Sequence, residues 1–531
     1  MSTHFKTLIL VGGVCLGIVV GEFSKFSTEV AVLALVIMLA QGVIYFWERK
    51  RKEMSDAYGV THLFSFPLVT ILFSIGLFLG ILRVQLVQEK INYVCESACT
   101  FDAKIISSSE IKNDYQVFNV RPVDIENNIL DIQIKTPLYP KYKIGQTLKL
   151  FGKVTLPNIL PPHGEKKSFD YSSYLITKNV GSEMFYPKIE LVNSNTNSIT
   201  ETFGSWKENM VGKIDMYVSS PASSLASGML FGNSGMDKEL AQTFRVAGLS
   251  HIIVLSGFNI AIVISFILFV FAFLPLTIRI LLASCSVIIF VLMVGGEASV
   301  VRATLMAFIA LLATLIGREY VALQALVISF LLIILYEPSS LTNDVSFHLS
   351  FLATAGIVYL SNILTIIFEK YFTRIKSKTF IATLSTTLSA YVMTLPYLMY
   401  TFGSVSLYAL VSNILVLPFV PIAMLISFLV VVTSYVSHTL ALVFGYTDTL
   451  IINVMISIAK VIEWLPFSYL SFQISFLWMC IIYFFIFLII NYIIKKNFNV
   501  TFPVGTQHDF KIKSETERLK SEGVLTDVIS Y

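Results

Sequence analysis

Residues 379–447, TFIATLSTTLSAYVMTLPYLMYTFGSVSLYALVSNILVLPFVPIAMLISFLVVVTSYVSHTLALVFGYT, contain no Asp, Glu, Lys or Arg. A helix needs about 20 apolar residues to cross about 30 Å of hydrocarbon, so this stretch holds more than one crossing. Residues 251–295 carry only Arg279 among those four residue types and read the same way. Across the 531 residues, 55% are hydrophobic and 14% charged, with a mean hydropathy of +0.75, more apolar than a water-soluble core requires. The fold class expected is a polytopic α-helical membrane protein of about 12 spans.

Apolar runs at 7–21, 29–46 and 64–87 supply three helices in an N-terminal transmembrane region, 1–88. The first is read as retained, because a second follows closely and no small-residue cleavage site intervenes. Arg49, Lys50, Arg51 and Lys52 lie between the second and third runs. Positive loops stay on the cytoplasmic side, which places the N-terminus inside and the segment from Glu89 to Ser250 outside. Arg279, Arg318, the group Lys370, Arg374, Lys376 and Lys378, and Lys495 with Lys496 then fall inside as well. Residues 497–531, polar and charged, read as a disordered cytoplasmic tail. Cys95 and Cys99 open the outer segment, where thiols can stay oxidised, and a turn between them would allow a disulfide.

Residues 89–200 change character. Tyr115–Val120, Leu130–Lys135 and Thr147–Val154 alternate as half-buried strands do, with polar turns between them. Five or six such strands without intervening helices suit a small OB-like β domain. Lys135, Lys141, Lys143, Lys149 and Lys153 lie in a stretch free of acidic residues and alternate with aromatic residues including Phe151. Such a surface fits phosphates and stacked bases, although a solvated strand face explains it equally well. Residues 201–250 read as amphipathic helices, with Leu240, Phe244 and Ala247 on one face, and 251–496 as a second transmembrane domain.

Several chemistries are missing. No GxxxxGK[ST] phosphate loop occurs, so the chain carries no ATPase of that type. No two histidines lie closer than His4 and His62, which disfavours a zinc hydrolase, and no metal or other cofactor is expected. Ser256 is not set in GxSxG, because Val254 stands where the first glycine would be. Catalysis is not expected.

Small and polar residues at bilayer depth mark packed interfaces or hydrophilic paths. They cluster at Ala247–His251 with Ser256, Gly257 and Asn259, at Gly295–Ala303, at Phe347–Phe351 leading to Gly356, and at Ser412 and Asn413 before Pro418 and Pro421. Packing explains Ser256, Gly257 and Asn259 as readily as a pore does. Glu297 and Arg302 form either an interfacial ion pair or part of a path. His251, taken alone, reads as an interfacial histidine.

Taken in order, these clusters resemble the ComEC family, the membrane channel of natural DNA competence. The resemblance includes Phe169-Asp170-Tyr171 with Tyr174-Leu175, Gly248-Leu249-Ser250-His251 with Ser256-Gly257, Arg302-Ala303, Leu349-Ser350-Phe351, and Leu395-Pro396 leading to Phe402-Gly403 and Asn413. It implies passage of single-stranded DNA through the bacterial cytoplasmic membrane. The channel or gate candidates are then His251, Ser256, Gly257, Asn259, Glu297, Arg302, His348, Ser350 and Asn413. The partners it implies are the lipid bilayer, a DNA receptor, a separate nuclease and a cytoplasmic motor ATPase. Two departures stand out. Asn259 occupies a position where the family commonly has histidine, and no metallo-β-lactamase-like domain follows the last span, so removal of one DNA strand falls to another protein. The alternatives are a secondary transporter for a small polar solute, for which no repeated half-structure is visible, and a membrane enzyme, for which the charges are too sparse.

Overall fold

The computed structural model describes residues 3–23, 66–86, 92–107, 109–112, 115–123, 129–157, 172, 175–176, 178–193, 199–232, 235–253, 255–294, 298–317, 321–371 and 377–498. The expected span at 29–46, the cluster Arg49–Lys52, Phe169-Asp170-Tyr171, Tyr174, Glu297 and the tail after Phe498 lie outside them. In chain order, α1 (Thr3–Phe23) and α2 (Phe66–Leu86) precede seven strands. These are β1 (Cys95–Ile105), β2 (Glu110–Lys112), β3 (Tyr115–Pro122), β4 (Asp131–Pro137), β5 (Thr147–Thr155), β6 (Val180–Phe185) and β7 (Lys188–Asn193). Helices follow: α3 (Ile199–Tyr217), α4 (Ala222–Phe231), α5 (Lys238–Val246), α6 (Ser250–Ile253), α7 (Gly257–Val270), α8 (Leu276–Val294) and α9 (Ala298–Leu315). Next come α10 (Ala322–Tyr336), α11 (Ser340–Asn343), α12 (Val345–Tyr371), α13 (Lys378–Thr401), β8 (Val405–Ser406) and α14 (Ala409–Val416). The last elements are α15 (Phe419–Ser434), α16 (His438–Glu463), β9 (Tyr469–Leu470) and α17 (Phe476–Phe498).

The chain divides into two compact units, one formed by 1–86, 317–335 and 484–531, the other by 87–316 and 336–483. In the first, α1 and α2 approach each other through glycines set four residues apart: Gly13, Gly17 and Gly21 on α1, Gly76 and Gly80 on α2. A Cβ on Gly17 would run into the carbonyl oxygen of Leu77, and one on Gly80 into that of Val14. Lipid offers no hydrophobic drive for helix association, so backbone contact of this closeness is what holds the pair. Arg83 of α2 donates from Nε to the Leu335 carbonyl of α10.

In the second unit the strands make a small barrel-like sheet. β1 pairs with β3, β3 with β4, β4 with β6 in parallel and β6 with β5, which returns to pair antiparallel with β1. β2 extends β3 as a hairpin, and β7 lies along the free half of β5. Strand side chains alternate between faces. The interior accordingly takes every second residue: Phe101, Ala103 and Ile105; Phe118 and Val120; Ile132 and Ile134; Leu148 and Leu150.

In the second unit α3, α6, α15 and α16 pack on α4, where every residue except Ser224 is buried. α4 carries no charged residue, and α3, α15 and α16 cover it. α5 keeps its amphipathic character, with Leu240, Thr243 and Phe244 buried and Ala247 continuing the stripe. Among the described residues four helices are long and apolar enough to cross a membrane: α8, α12, α16 and residues 476–493 of α17. α14 and α15 together would make a fifth, bent by 46° at Leu417 and Pro418, and six apolar stretches of 10–17 residues, within α1, α2, α4, α7, α9 and α10, are shorter.

Within α1, Gly12 has open space where a Cβ would stand. Gly17→Leu should destabilise the purified protein by about 1–3 kcal/mol through overpacking, whereas Gly12→Leu should stay within about 0.5 kcal/mol. Thermal unfolding in detergent of both variants beside wild type checks this, and equal midpoints would contradict the close contact.

Candidate functional site

The residues singled out in the sequence are brought together as contacts between helices. At Gly248 the chain leaves α5 in the left-handed conformation, with φ 76°, and Leu249 N–H donates back to the Phe244 carbonyl at 2.8 Å. Glycine closes helices this way because it has no Cβ to clash. A Cβ there would also stand 2.5 Å from that of Ala409, so the end of α5 and the start of α14 meet at this point. Eight residues later, Ser256 is extended and α7 starts at Gly257. A Cβ on Gly257 would touch Ala303 of α9 at 3.2 Å.

Asn259, 1% exposed, donates from Nδ2 to the Met229 carbonyl of α4 at 3.0 Å and accepts from Ser256 Oγ at 3.3 Å. Asn259 therefore fastens the first turn of α7 to the central helix. His251, on the one-turn helix α6, is exposed, as is Gly257.

Arg302 of α9 is 2% exposed, and the guanidinium keeps its proton under all ordinary conditions. It donates from Nη1 to Asp344 Oδ2 at 3.2 Å and from Nη2 to both the carbonyl and Oγ of Ser346 at 2.9 Å. Among the described residues Arg302 pairs with Asp344; Glu297, the partner weighed in the sequence, lies outside them. The other oxygen of Asp344 accepts from Phe347 N–H at 3.0 Å, which satisfies an open donor in the first turn of α12 and adds a favourable negative charge there.

One turn on, His348 sits between two partners: the Leu341 carbonyl lies 2.8 Å from Nε2, and Tyr397 Oη of α13 lies 2.7 Å from Nδ1. With Tyr397 donating to Nδ1 and Nε2–H donating to the carbonyl, a neutral imidazole satisfies every group. Ser350 follows on α12, where its carbonyl accepts from Thr354 Oγ1. Pro396 removes one backbone bond inside α13, and Tyr391 and Tyr483 reach nearby carbonyls, those of Ser406 and Met393, each at 2.8 Å. Asn413 of α14 leaves Oδ1 without a partner among the described residues.

In the β domain the basic candidates separate into two groups. Lys135 forms an ion pair with Glu183 at 2.6 Å and lies over the Phe185 ring, and Lys149 stands between Asp102 of β1 and Glu190 of β7 in register. Their charge is answered locally. Lys141, Lys143, Lys153 and Phe151 are exposed, and Phe151 has Lys188 as its cross-strand neighbour. Exposed aromatic rings missed in the sequence, Phe185 and Tyr186, follow at the turn into β7. Cys95 and Cys99 are free thiols, which corrects the expected disulfide. A bulge sets them opposite Val154 and Gly152, but Cys95 Sγ bonds to the Ser97 carbonyl at 2.8 Å and Cys99 Sγ to that of Gly152 at 3.5 Å. Burial, and next the adjoining Cys95, push the Cys99 thiol up to about 11.

A membrane protein whose polar residues join broken and continuous helices end to end is the class defined by this fold and site. Residues 229–497, half of the chain, match the family model described as "Competence protein". ComE operon protein 3 of Bacillus subtilis (strain 168) is 22% identical over 280 residues, which cover 52% of this chain and 34% of that protein. The chain spans about a third of the length of this curated relative. No solved structure matches it. The chain belongs to the ComEC family of competence proteins.

Two measurements check this geometry. Arg302→Met should cost about 3–5 kcal/mol by stranding Asp344, and adding Asp344→Leu should restore most of it, since a buried pair is replaced more easily than halved. Thermal unfolding of the single and double variants reads the difference. Alkylation of Cys99 by iodoacetamide should be slow at neutral pH and keep rising towards pH 11, because only the thiolate reacts; a plateau near about 8.5 would contradict its burial.

Proposed function

We propose that this chain is a channel that passes single-stranded DNA across the bacterial cytoplasmic membrane during competence, with both termini in the cytoplasm. The observation that carries the reading is the break between α6 and α7, in a family whose model covers this region. There His251 and Gly257 are exposed, while Asn259, Arg302 and His348 hold the surrounding helices in place. A polyanion passes most easily along neutral or weakly basic groups that do not retain it, and the segment from His251 to Gly257 is free of acidic residues.

The β domain is the receiving surface in this proposal. Its strand order, with β4 and β6 parallel and β1 closed on β5, supports an OB-like barrel, and exposed Phe151, Phe185 and Tyr186 offer faces for bases to stack on. Lys141, Lys143 and Lys153 supply charge for the backbone. No catalytic step is assigned to the chain, and a DNA receptor, a nuclease and a motor ATPase act beside it.

Gly257→Leu places a side chain against Ala303 at the break, whereas Gly257→Ala adds only a methyl group at a distance the neighbour can absorb. In a competent host with the chromosomal gene deleted, Gly257→Leu and Ser256→Leu should insert at wild-type amounts and take DNA to the outer face, yet fail to deliver it to the cytoplasm. Gly257→Ala should transform within about threefold of wild type, a loss under 1 kcal/mol. Normal transformation by both leucine variants would show that the segment packs helices and lines no path.

A further inference from the structure

Asp448 is the only Asp, Glu, Lys or Arg between Lys378 and Lys460. It belongs to the stripe that α16 turns toward its neighbours, with Ala441, Gly445, Ile452, Met455, Ile456 and Ala459, and it is the one ionisable member of that stripe. It is 0% exposed. Ser427 of α15 donates from Oγ to Oδ2 at 2.6 Å, and Oδ1 has no partner among the described residues.

The surroundings are apolar on both helices. Residues three and four apart share a helix face. Ser427 is flanked in this way by Ala423, Met424, Val430 and Val431, and Asp448 by Phe444, Gly445, Ile451 and Ile452; all but Gly445 belong to one apolar cluster. Of the other elements packed on α16, α4 and α14, like α15, carry no ionisable residue. α3 brings Lys207, Glu208, Lys213, Asp215 and Tyr217, and α5 brings Lys238, Glu239 and Arg245. α16 itself adds His438, Tyr446, Lys460 and Glu463. None of these groups is joined to Asp448 by an ion pair or hydrogen bond among the described residues; Tyr217 bonds to His438, and Lys213 lies over the Tyr435 ring.

An anionic carboxylate with one oxygen unpaired in such a place is strongly disfavoured, whereas the neutral acid is tolerated. We propose that Asp448 is a proton-binding site that stays protonated while α15 and α16 are packed and releases its proton when they part and water reaches Oδ1. On release the carboxyl O–H bond breaks, the proton passes to water and Ser427 remains as a donor to the anion. Repacking of the helices takes a proton back. A purely structural role predicts something different, because an asparagine would keep an oxygen for Ser427 and serve as well.

The test uses the full chain in liposomes and dicyclohexylcarbodiimide, whose C=N bond takes up the O–H of a protonated carboxyl group in apolar surroundings. Mass spectrometry should find the adduct on the Asp448 peptide, increasing as pH is lowered through neutrality and absent in Asp448→Asn. Ser427→Ala, which removes the donor to the anion, should extend labelling to higher pH. No adduct at any pH, with the acidified, unfolded protein modified as a control, would overturn the proposal. The second arm rests on the DNA-uptake reading: Asp448→Asn should insert normally and lower transformation about tenfold or more. Wild-type transformation by that variant would overturn proton exchange as part of the cycle. Labelling does not depend on DNA, so a failure there is distinct from a failure of the channel reading.

Discussion

A guanidinium buried at 2% exposure is the constraint around which the larger unit is arranged. Arg302 cannot become neutral, so α9 is stable in its place only where acceptors are supplied. Asp344 and Ser346 supply them from the entrance to α12. Asp344 in turn satisfies the first turn of α12, His348 ties that turn to α13, and α13 reaches β8 through Tyr391. One obligatory charge thus sets the positions of several helices, and each link in the series meets a polar group that lipid could not satisfy.

Where no polar bond is available, absence of side chain does the same work. Gly248 lets α5 end against Ala409, Gly356 brings α12 to within 2.5 Å of the Ser389 carbonyl for a would-be Cβ, and Gly445 brings α16 against the end of α3. The family motifs are mostly of these two kinds, buried donors and missing Cβ atoms. They describe how helices are joined, while His251 and Gly257, in the same set of motifs, stay exposed.

Fold class was legible because apolar runs and strand alternation are local properties, and both reappear, as spans and as a barrel interior filled by every second residue. Pairing was not legible, because partners come from far along the chain. The stretch from Lys135 to Lys153 is basic when read in line, but the sheet sets Asp102 and Glu190 on either side of Lys149 and Glu183 against Lys135. Arg302 pairs with Asp344, forty-two residues away, a partner that sequence proximity does not suggest. The glycines of α1 and α2 were visible as small residues four apart, a signal that required only attention to spacing. Asp448 stood at the edge of the uncharged stretch, and its meaning rests on the apolar cluster around it.

The burial of α4 has a consequence for how the chain is made. Part of its cover comes from α3, made just before it, and the rest from α15 and α16, which leave the ribosome long after it does. Until then α4, uncharged and only ten residues long, has α3 alone among these partners beside it and is too short to span the membrane by itself. Closing a contact across so much intervening chain is entropically costly, and costs grow only slowly beyond that length. Assembly of the larger unit is therefore a late event, completed by the last helices rather than built up pair by pair in the order of synthesis.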